Sequence, residues 1–197
     1  PRESGKEKWL GKRRIEPGDD ILMAGGIAIE GTAILASLKG DLLRGERDEA
    51  TLDRARNFLF DPGISVVRAA SRAGEAGSPH AMHDPTEGGL ATALWEMATA
   101  SGSGLVVWED RVPVYPETVS CSRILHFDPW GLIASGALLV ACPPDQSERI
   151  IQCLAREKIG CVAIGKAVPG TGVTVIRRGR NIRLRPFVRD ELARILG

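Results

Sequence analysis

The feature that most constrains this chain is residues 84–98, a polar, glycine-containing turn followed at once by an amphipathic helix pattern. Asp84 and Thr86 are residue types that cap helices, because their side-chain oxygens accept hydrogen bonds from unpaired backbone N–H groups. Gly88 and Gly89 let a ligand approach the backbone, and a helix N-terminus attracts anions. The Asp84 carboxylate is a ligand type that Mg²⁺ prefers, or it can orient a substrate group. The stretch therefore predicts a phosphate-binding turn with a metal ligand; the plainer alternative is a turn that only starts a helix.

The same stretch resembles the Asp-x-Thr-x-Gly-Gly-Leu signature of the AIR synthase-related, or PurM-like, superfamily, and Leu90, Glu96 and Ala98 extend the match. That superfamily contains AIR synthetase, selenophosphate synthetase, thiamine monophosphate kinase and the hydrogenase maturation factor HypE. The resemblance implies a function in ATP-dependent phosphoryl transfer, with this turn as part of the ligand site.

A second segment, residues 16–35, is similar to the Lys-Pro-Gly-Asp and Ser-Gly-Thr-Ile-Gly-Asp-His-Gly stretch of HypE-like proteins. The matching positions are Gly25, Ile27, Gly31, Ala33, Ile34 and Leu35. Ile29 and Glu30 stand where that family has Asp-His, so the loop is kept while its polar chemistry changes. Glu30 has two interpretations, a role in the site or a simple helix cap. The resemblance implies that Gly25 and Gly26 contact substrate or phosphate.

A third segment, residues 128–138, resembles the Asn-Pro-Leu…Ala-Ser-Glu-Gly stretch of the same family, in which this loop faces the cleft. Trp130 beside Gly131 is then a candidate to cover a substrate. An ordinary buried tryptophan is the alternative, since a large aromatic side chain contributes strongly to a core.

Two histidines, His80 and His83, precede Asp84 with His-x-x-His spacing. A zinc site needs more ligands at suitable geometry, and no cysteine lies nearby in the sequence, so zinc is disfavoured. His83 is better explained as a proton-transfer or hydrogen-bonding partner of Asp84. The catalytic candidates are therefore Asp84, His83 and Glu30.

The three segments together span residues 16–197, in the order found in the C-terminal half of the superfamily. The resemblance implies two α/β domains per chain, a homodimer, and ATP with Mg²⁺ held mainly by an N-terminal domain that this sequence does not include. We therefore expect residues 1–18 to be an arm from that domain and residues 19–197 to be an AIR synthase-related C-terminal domain. Its partners would be its own N-terminal domain and a small-molecule or protein substrate. The isolated chain is expected to be inactive.

The C-terminal residues depart from the HypE pattern, which ends in Pro-Arg-Ile-Cys with a cysteine that carries the carbamoyl group. Here Leu196 follows Arg194 and Ile195. This change and the altered Ile29–Glu30 pair favour the main alternative, a non-catalytic binding or scaffold domain that retains the fold.

Charge, hydropathy and cysteine content narrow the classes of protein to which this chain can belong. The net charge is +1, but basic residues cluster at Lys6, Lys8, Lys12, Arg13 and Arg14, and again at Arg177, Arg178, Arg180, Arg183 and Arg185. A solvated face or a contact to another domain is favoured over nucleic acid, because few aromatic side chains interleave with the second cluster. No apolar run reaches the roughly 20 residues of a membrane span. The four cysteines lack Cys-x-x-Cys spacing, and buried reduced thiols in a cytoplasmic protein are expected.

Hydrophobic periodicity and turn signals predict a layered α+β domain, an α/β sandwich with a mixed sheet similar to the PurM C-terminal domain. Strands are predicted at 20–24, 104–109, 137–142, 161–168, 172–177 and 181–184. Helices are predicted at 32–43, 48–60, 65–73, 89–101, 116–125, 146–158 and 188–196. Thr32 and Asp145 are predicted as helix caps.

Overall fold

The computed structural model describes residues 15–44 and 49–197. Its strands are β1 (Asp20–Ala24), β2 (Ala81–His83), β3 (Gly104–Trp108), β4 (Leu138–Cys142), β5 (Cys161–Val168), β6 (Val173–Arg177) and β7 (Arg180–Leu184). Its α-helices are α1 (Ile29–Leu38), α2 (Gly40–Arg44), α3 (Glu49–Arg56), α4 (Val67–Ala76), α5 (Gly89–Ser101), α6 (Pro116–Leu125), α7 (Pro144–Arg156) and α8 (Glu191–Leu196). Short 3-10 turns lie at Asn57–Leu59, Glu109–Arg111 and Pro129–Gly131.

The strands form one mixed sheet in the order β2-β4-β1-β5-β3-β6-β7, in which only the β3–β6 pair is parallel. Side chains alternate between the two faces of a strand. Ile21 and Met23 of β1 pack in the larger core with α1, α3, α5 and α6, whereas Leu22 and Ala24 pack against α4 and α7. Both faces of the central strands are therefore covered by helices, which confirms the predicted layered α+β architecture.

The predicted helix at 32–43 is wrong at its start and in its continuity. Ala28 adopts a left-handed conformation (φ 60°), so the chain turns into α1 at Ile29, and the helical run is broken at Lys39 before α2. Thr32 is buried inside α1, and its hydroxyl bonds the Thr118 hydroxyl at 2.9 Å instead of capping the helix. A long-range contact has thus replaced the local cap that the sequence suggested.

Other boundaries shift by a few residues. The helix predicted from 146 begins at Pro144, and Asp145 makes no capping hydrogen bond, because proline takes the first helical position and Pro143 precedes it. The helix predicted at 188–196 begins at Glu191, with Asp190 as its cap. The strand β2 was not predicted, since three half-buried residues are too few to show a period. By contrast, β1, α5, α6 and β5 have the predicted bounds.

Of the two basic clusters, the structure describes only the second. The N-terminal cluster and residues 1–14 of the predicted arm lie outside the described residues. The second cluster lies on the β6–β7 hairpin and the segment after it, where Arg178, Arg180, Arg183 and Arg185 are exposed and Arg177 pairs with Glu109. Within the described ranges, no helix is both long enough and apolar enough to span a bilayer.

The cysteines provide a direct test of the two cores. No disulfide joins the four, all of which lie in the described part of the chain. Burial raises the pKa of the Cys161 thiol to about 12 and also raises the pKa of Cys142. Because the thiolate is the reactive form, we expect both thiols to resist iodoacetamide in the folded protein at mildly alkaline pH. The half-buried Cys153 should label first.

Mass spectrometry of partially alkylated protein measures this order, and the same reaction in denaturant is the control, in which all four cysteines should label at similar rates. Rapid labelling of Cys161 in the folded chain would contradict the packing of β5 described above.

Candidate functional site

One edge of the sheet gathers most of the residues that the sequence singles out. The pairing directions place the C-terminal ends of β1, β2, β3 and β6 at the same edge, together with the starts of β4 and β5. Gly25 follows β1 directly, His83 is the last residue of β2, and Gly136 lies just before β4. The loops that carry the predicted site therefore meet on one side of the domain.

The three segments that resemble the superfamily contact one another through their backbones. Ala134 N–H donates to the Thr86 carbonyl at 3.4 Å, and Gly31 N–H donates to the Ile133 carbonyl at 3.2 Å. A Cβ atom on Gly89 would lie 2.6 Å from the carbonyl oxygens of both Trp130 and Leu132. The loop at 130–136 is thus held between the start of α1 and the start of α5. Glycine is required at Gly89, since backbone atoms fill the space that a side chain would need.

The expectation that Asp84 and Thr86 cap α5 is wrong. The helix begins at Gly89, its cap position is Gly88 in the left-handed conformation (φ 74°), and no side chain of the cap accepts a hydrogen bond. Asp84 and Thr86 precede this cap position by four and two residues, and no side-chain hydrogen bond caps α5 in the described part of the chain. Thr86 contributes its carbonyl to the turn instead, accepting from Gly89 N–H at 3.0 Å. The Asp84 side chain remains 61% exposed at the sheet edge.

An anionic group does lie at the start of α5, and this chain supplies it. Gly88 N–H donates to Asp190 Oδ2 at 2.7 Å, although the two residues are 102 positions apart. Beside them, the Thr92 hydroxyl lies where a Gly88 Cβ would be. Its oxygen is buried and has no hydrogen-bond partner within the described ranges. Nothing in the sequence distinguishes Asp190 as this partner, since it falls inside the helix predicted at 188–196.

His83 lies between two carboxylates. Its Nε2 is 2.7 Å from Glu96 Oε2 on α5, and its Nδ1 is 3.8 Å from Asp84 Oδ1. This arrangement fits the proton-transfer or hydrogen-bonding role. His80 instead pairs with Asp19 at 2.7 Å, at the opposite edge of the sheet, so the two histidines do not share a site. In the described part of the chain, no three or more His, Cys, Asp or Glu side chains are grouped as metal ligands. Asp84 therefore fits Mg²⁺ as a single ligand that needs others.

A cavity of about 410 Å³ opens beside the Gly25 loop. Gly25 and Gly136 form part of its wall, and Arg68, Lys158 and Tyr115 reach it from three distant parts of the chain. Arg68 is steadied by donating to the Glu157 carbonyl at 2.8 Å. Burial raises the pKa of the Tyr115 hydroxyl, and the nearby charges of Asp61 and Glu117 raise it further, so the phenol stays protonated as a donor. Two cations and a phenol favour an anionic group here, opposed by Asp61 at the same wall.

The remaining predicted residues differ in their surroundings. Gly26 lies against the Tyr115 ring, where a Cβ would come within 2.6 Å of Cε2. Glu30 is the second residue of α1, and its Oε2 is buried without a hydrogen-bond partner in the described residues, which disfavours a simple capping role. Trp130 is only 5% exposed and packs in the larger core, as in the buried-tryptophan alternative, so its part in binding stays a prediction.

The architecture defines an α+β domain, and its glycine-containing loops form a candidate ligand site at one sheet edge. Residues 16–178 match the family described as AIR synthase related protein, C-terminal domain, and the chain belongs to that family. It is 34% identical over 171 residues to carbamoyl dehydratase HypE of Rhodobacter capsulatus, a match that covers 83% of this chain and 45% of that protein. The chain thus spans less than half the length of this curated relative.

Solved structures show the same fold. The crystal structure of Escherichia coli HypE has a TM-score of 0.76 and 23% identity, covering 94% of this chain and 55% of that one. A crystal structure of HypE in complex with ATP has a TM-score of 0.72 and 23% identity, covering 92% of this chain and 54% of that one. These structures confirm the PurM-like fold, and the family match and the curated relative confirm the HypE-like relationship that the sequence segments indicated.

Proposed function

We propose that this chain is the C-terminal, substrate-side domain of an ATP-dependent enzyme that transfers a phosphoryl group to a substrate not yet assigned. The observation that carries the proposal is the convergence of the three segments at one sheet edge, where their loops pack against one another and a cavity of about 410 Å³ opens beside Gly25. Phosphoryl transfer depends on positioning and on compensating charge on the transferring group, which fixed N–H donors and Mg²⁺ supply.

In this proposal, the residues of the edge have distinct roles. Asp84 holds Mg²⁺ or orients the substrate, and His83, set between Asp84 and Glu96, moves or holds a proton. Backbone groups of Thr86, Gly88 and Gly89 contact phosphate.

On the other side of the 130–136 loop, Gly25 borders the cavity for the substrate, where Arg68 and Lys158 favour an anionic part of it. Gly26, the next residue, is the second glycine proposed to contact substrate. Glu30, with its unpartnered buried oxygen, is the further catalytic candidate.

ATP and Mg²⁺ are assigned mainly to an N-terminal domain of a longer protein. Three observations support this division. The chain matches less than half of the HypE relative, and a HypE structure of the same fold was solved in complex with ATP. Asp84 alone also falls short of a complete metal site among the described residues. A homodimer in the cytoplasm completes the proposal.

A non-catalytic binding or scaffold domain is the second candidate. Leu196 stands in place of the cysteine with which HypE ends, and Ile29–Glu30 replaces Asp-His. The Asp190 carboxylate on the Gly88 N–H also favours it, because that contact fills the position proposed for phosphate.

Calorimetric titration with Mg-ATP separates these candidates. The isolated 197-residue chain is expected to give no binding heat, and the longer gene product is expected to bind and to hydrolyse ATP. Tight binding by the isolated chain would contradict the division between the two domains. A longer product that neither binds nor hydrolyses ATP would contradict the enzyme and leave the scaffold candidate.

A further inference from the structure

The C-terminal segment, residues 185–197, folds back onto the turn that begins α5. Its aspartate, Asp190, makes two hydrogen bonds with different parts of the chain. Asp190 Oδ2 accepts from Gly88 N–H at 2.7 Å, and Oδ1 accepts from Leu192 N–H at 2.7 Å, which caps α8. One carboxylate therefore bridges the N-termini of two helices, α5 and α8.

The contact with Gly88 is chemically the one that a phosphate oxygen would make. A helix N-terminus presents N–H donors and positive potential, and it stabilises a carboxylate and a phosphate for the same reasons. Both groups are anions and both need the same N–H, so they exclude each other at this position. The Thr92 hydroxyl oxygen beside Gly88 is buried and has no hydrogen-bond partner in the described residues.

The segment is anchored to the domain on both sides of Asp190. Phe187 lies against Gly131, and Arg194 Nη2 donates to the His126 carbonyl at 2.7 Å. Leu192 and Ile195 of α8 also pack against the larger core. Between these anchors Val188 is fully exposed, so the exposed part of the segment is the short stretch directly before Asp190. A short exposed stretch of this kind rearranges at lower cost than the packed helix that follows it.

We propose that the C-terminal segment is an internal competitor for the anion position of the α5 turn. The Asp190 carboxylate and a phosphoryl oxygen of a ligand occupy the Gly88 N–H in turn, so a phosphorylated ligand binds only as Asp190 withdraws. The coupling is reciprocal, because whatever weakens the Asp190 contact strengthens phosphate binding by the same factor. This inference rests on the proposed function, in that it takes the turn to be a phosphate site.

The test is a titration of the ¹⁵N-labelled 197-residue chain with pyrophosphate, followed by NMR at the Gly88 amide. Asp190→Asn removes the charge but keeps an acceptor that caps α8, and Asp190→Ser does the same with a different cap. Both variants are expected to bind pyrophosphate at least about 10-fold more tightly than the unmodified chain, with Gly88 among the most shifted amides. Asp145→Asn is the matched control, since it removes a carboxylate from the first turn of α7 on the other face of the sheet, and it should behave like the unmodified chain.

The outcomes are separable. A purely structural Asp190 would lower the melting temperature when replaced but leave pyrophosphate affinity unchanged, and that result overturns the competition. Binding at Gly88 with equal affinity in all variants overturns the competition alone and leaves the turn as a phosphate site. No response of Gly88 in any variant overturns the competition and removes the turn from the proposed function. Hydrogen exchange at Leu192 gives an independent readout, because pyrophosphate should accelerate it only if Asp190 withdraws.

Discussion

Replacing Gly89 with alanine is expected to lower the free energy of unfolding by about 3 to 5 kcal/mol, from left-handed strain plus overpacking. Gly89 has φ +62°, and its added Cβ would lie 2.6 Å from the carbonyl oxygens of Trp130 and Leu132 and 3.0 Å from Leu132 N. These are backbone atoms of a loop that is itself bonded to α1 and to Thr86, so they cannot rotate away as a side chain can. Urea unfolding followed by tryptophan fluorescence measures the effect.

Gly102→Ala is the matched control, because Gly102 ends the same helix with φ +70° and has no atom within 4 Å of an added Cβ. It carries the conformational strain without the collision, so a loss of only about 1 kcal/mol is expected. The difference between the two variants isolates the close approach of the 130–136 loop to α5. Equal losses would mean that this approach is looser than described, and the three segments would no longer form one unit.

The sequence predicted best where a signal is local and strong. Helix α5 and strand β5 have the predicted bounds, since each is a long periodic run closed by glycine-containing turns. The turns of the three segments were also predicted correctly, because glycines and polar residues next to buried runs mark turns whatever surrounds them. That these turns lie together at one edge follows from strand order, which hydrophobic periodicity does not encode.

Two of the errors share one physical cause, the replacement of local hydrogen bonds by distant ones. Thr32 bonds Thr118 across 86 positions instead of capping α1, and Gly88 receives Asp190 instead of a cap from its own turn. Arg68, Tyr115 and Lys158 carry no shared sequence pattern, and only the fold brings them to one cavity. When a cavity is lined by residues from separate elements, the sequence predicts its glycine-containing turns but not the side chains that come together there.

Replacing Asp84 with asparagine in the longer gene product is expected to lower kcat for ATP turnover by about 100-fold or more, the usual loss when a group that stabilises transition-state charge is removed. The substitution keeps the shape of the side chain but weakens a ligand of Mg²⁺, which prefers charged carboxylate oxygen. Because the Asp84 side chain is 61% exposed and caps no helix, stability should change by no more than about 0.5 kcal/mol. Steady-state phosphate release and a melting curve on the same preparation give both values.

Asp110→Asn controls for the loss of one negative charge at the same edge of the sheet. Asp110 is exposed in the turn after β3 and belongs to none of the three segments, so turnover should be unaffected. A normal turnover in Asp84→Asn would contradict a catalytic role for Asp84. Glu30 would then be the next carboxylate to test, because its side-chain oxygen is buried without a hydrogen-bond partner in the described residues. A loss of ATP turnover in Asp84→Asn with an unchanged melting temperature would support a catalytic role for the Asp84 carboxylate, because a change in stability could not explain the loss.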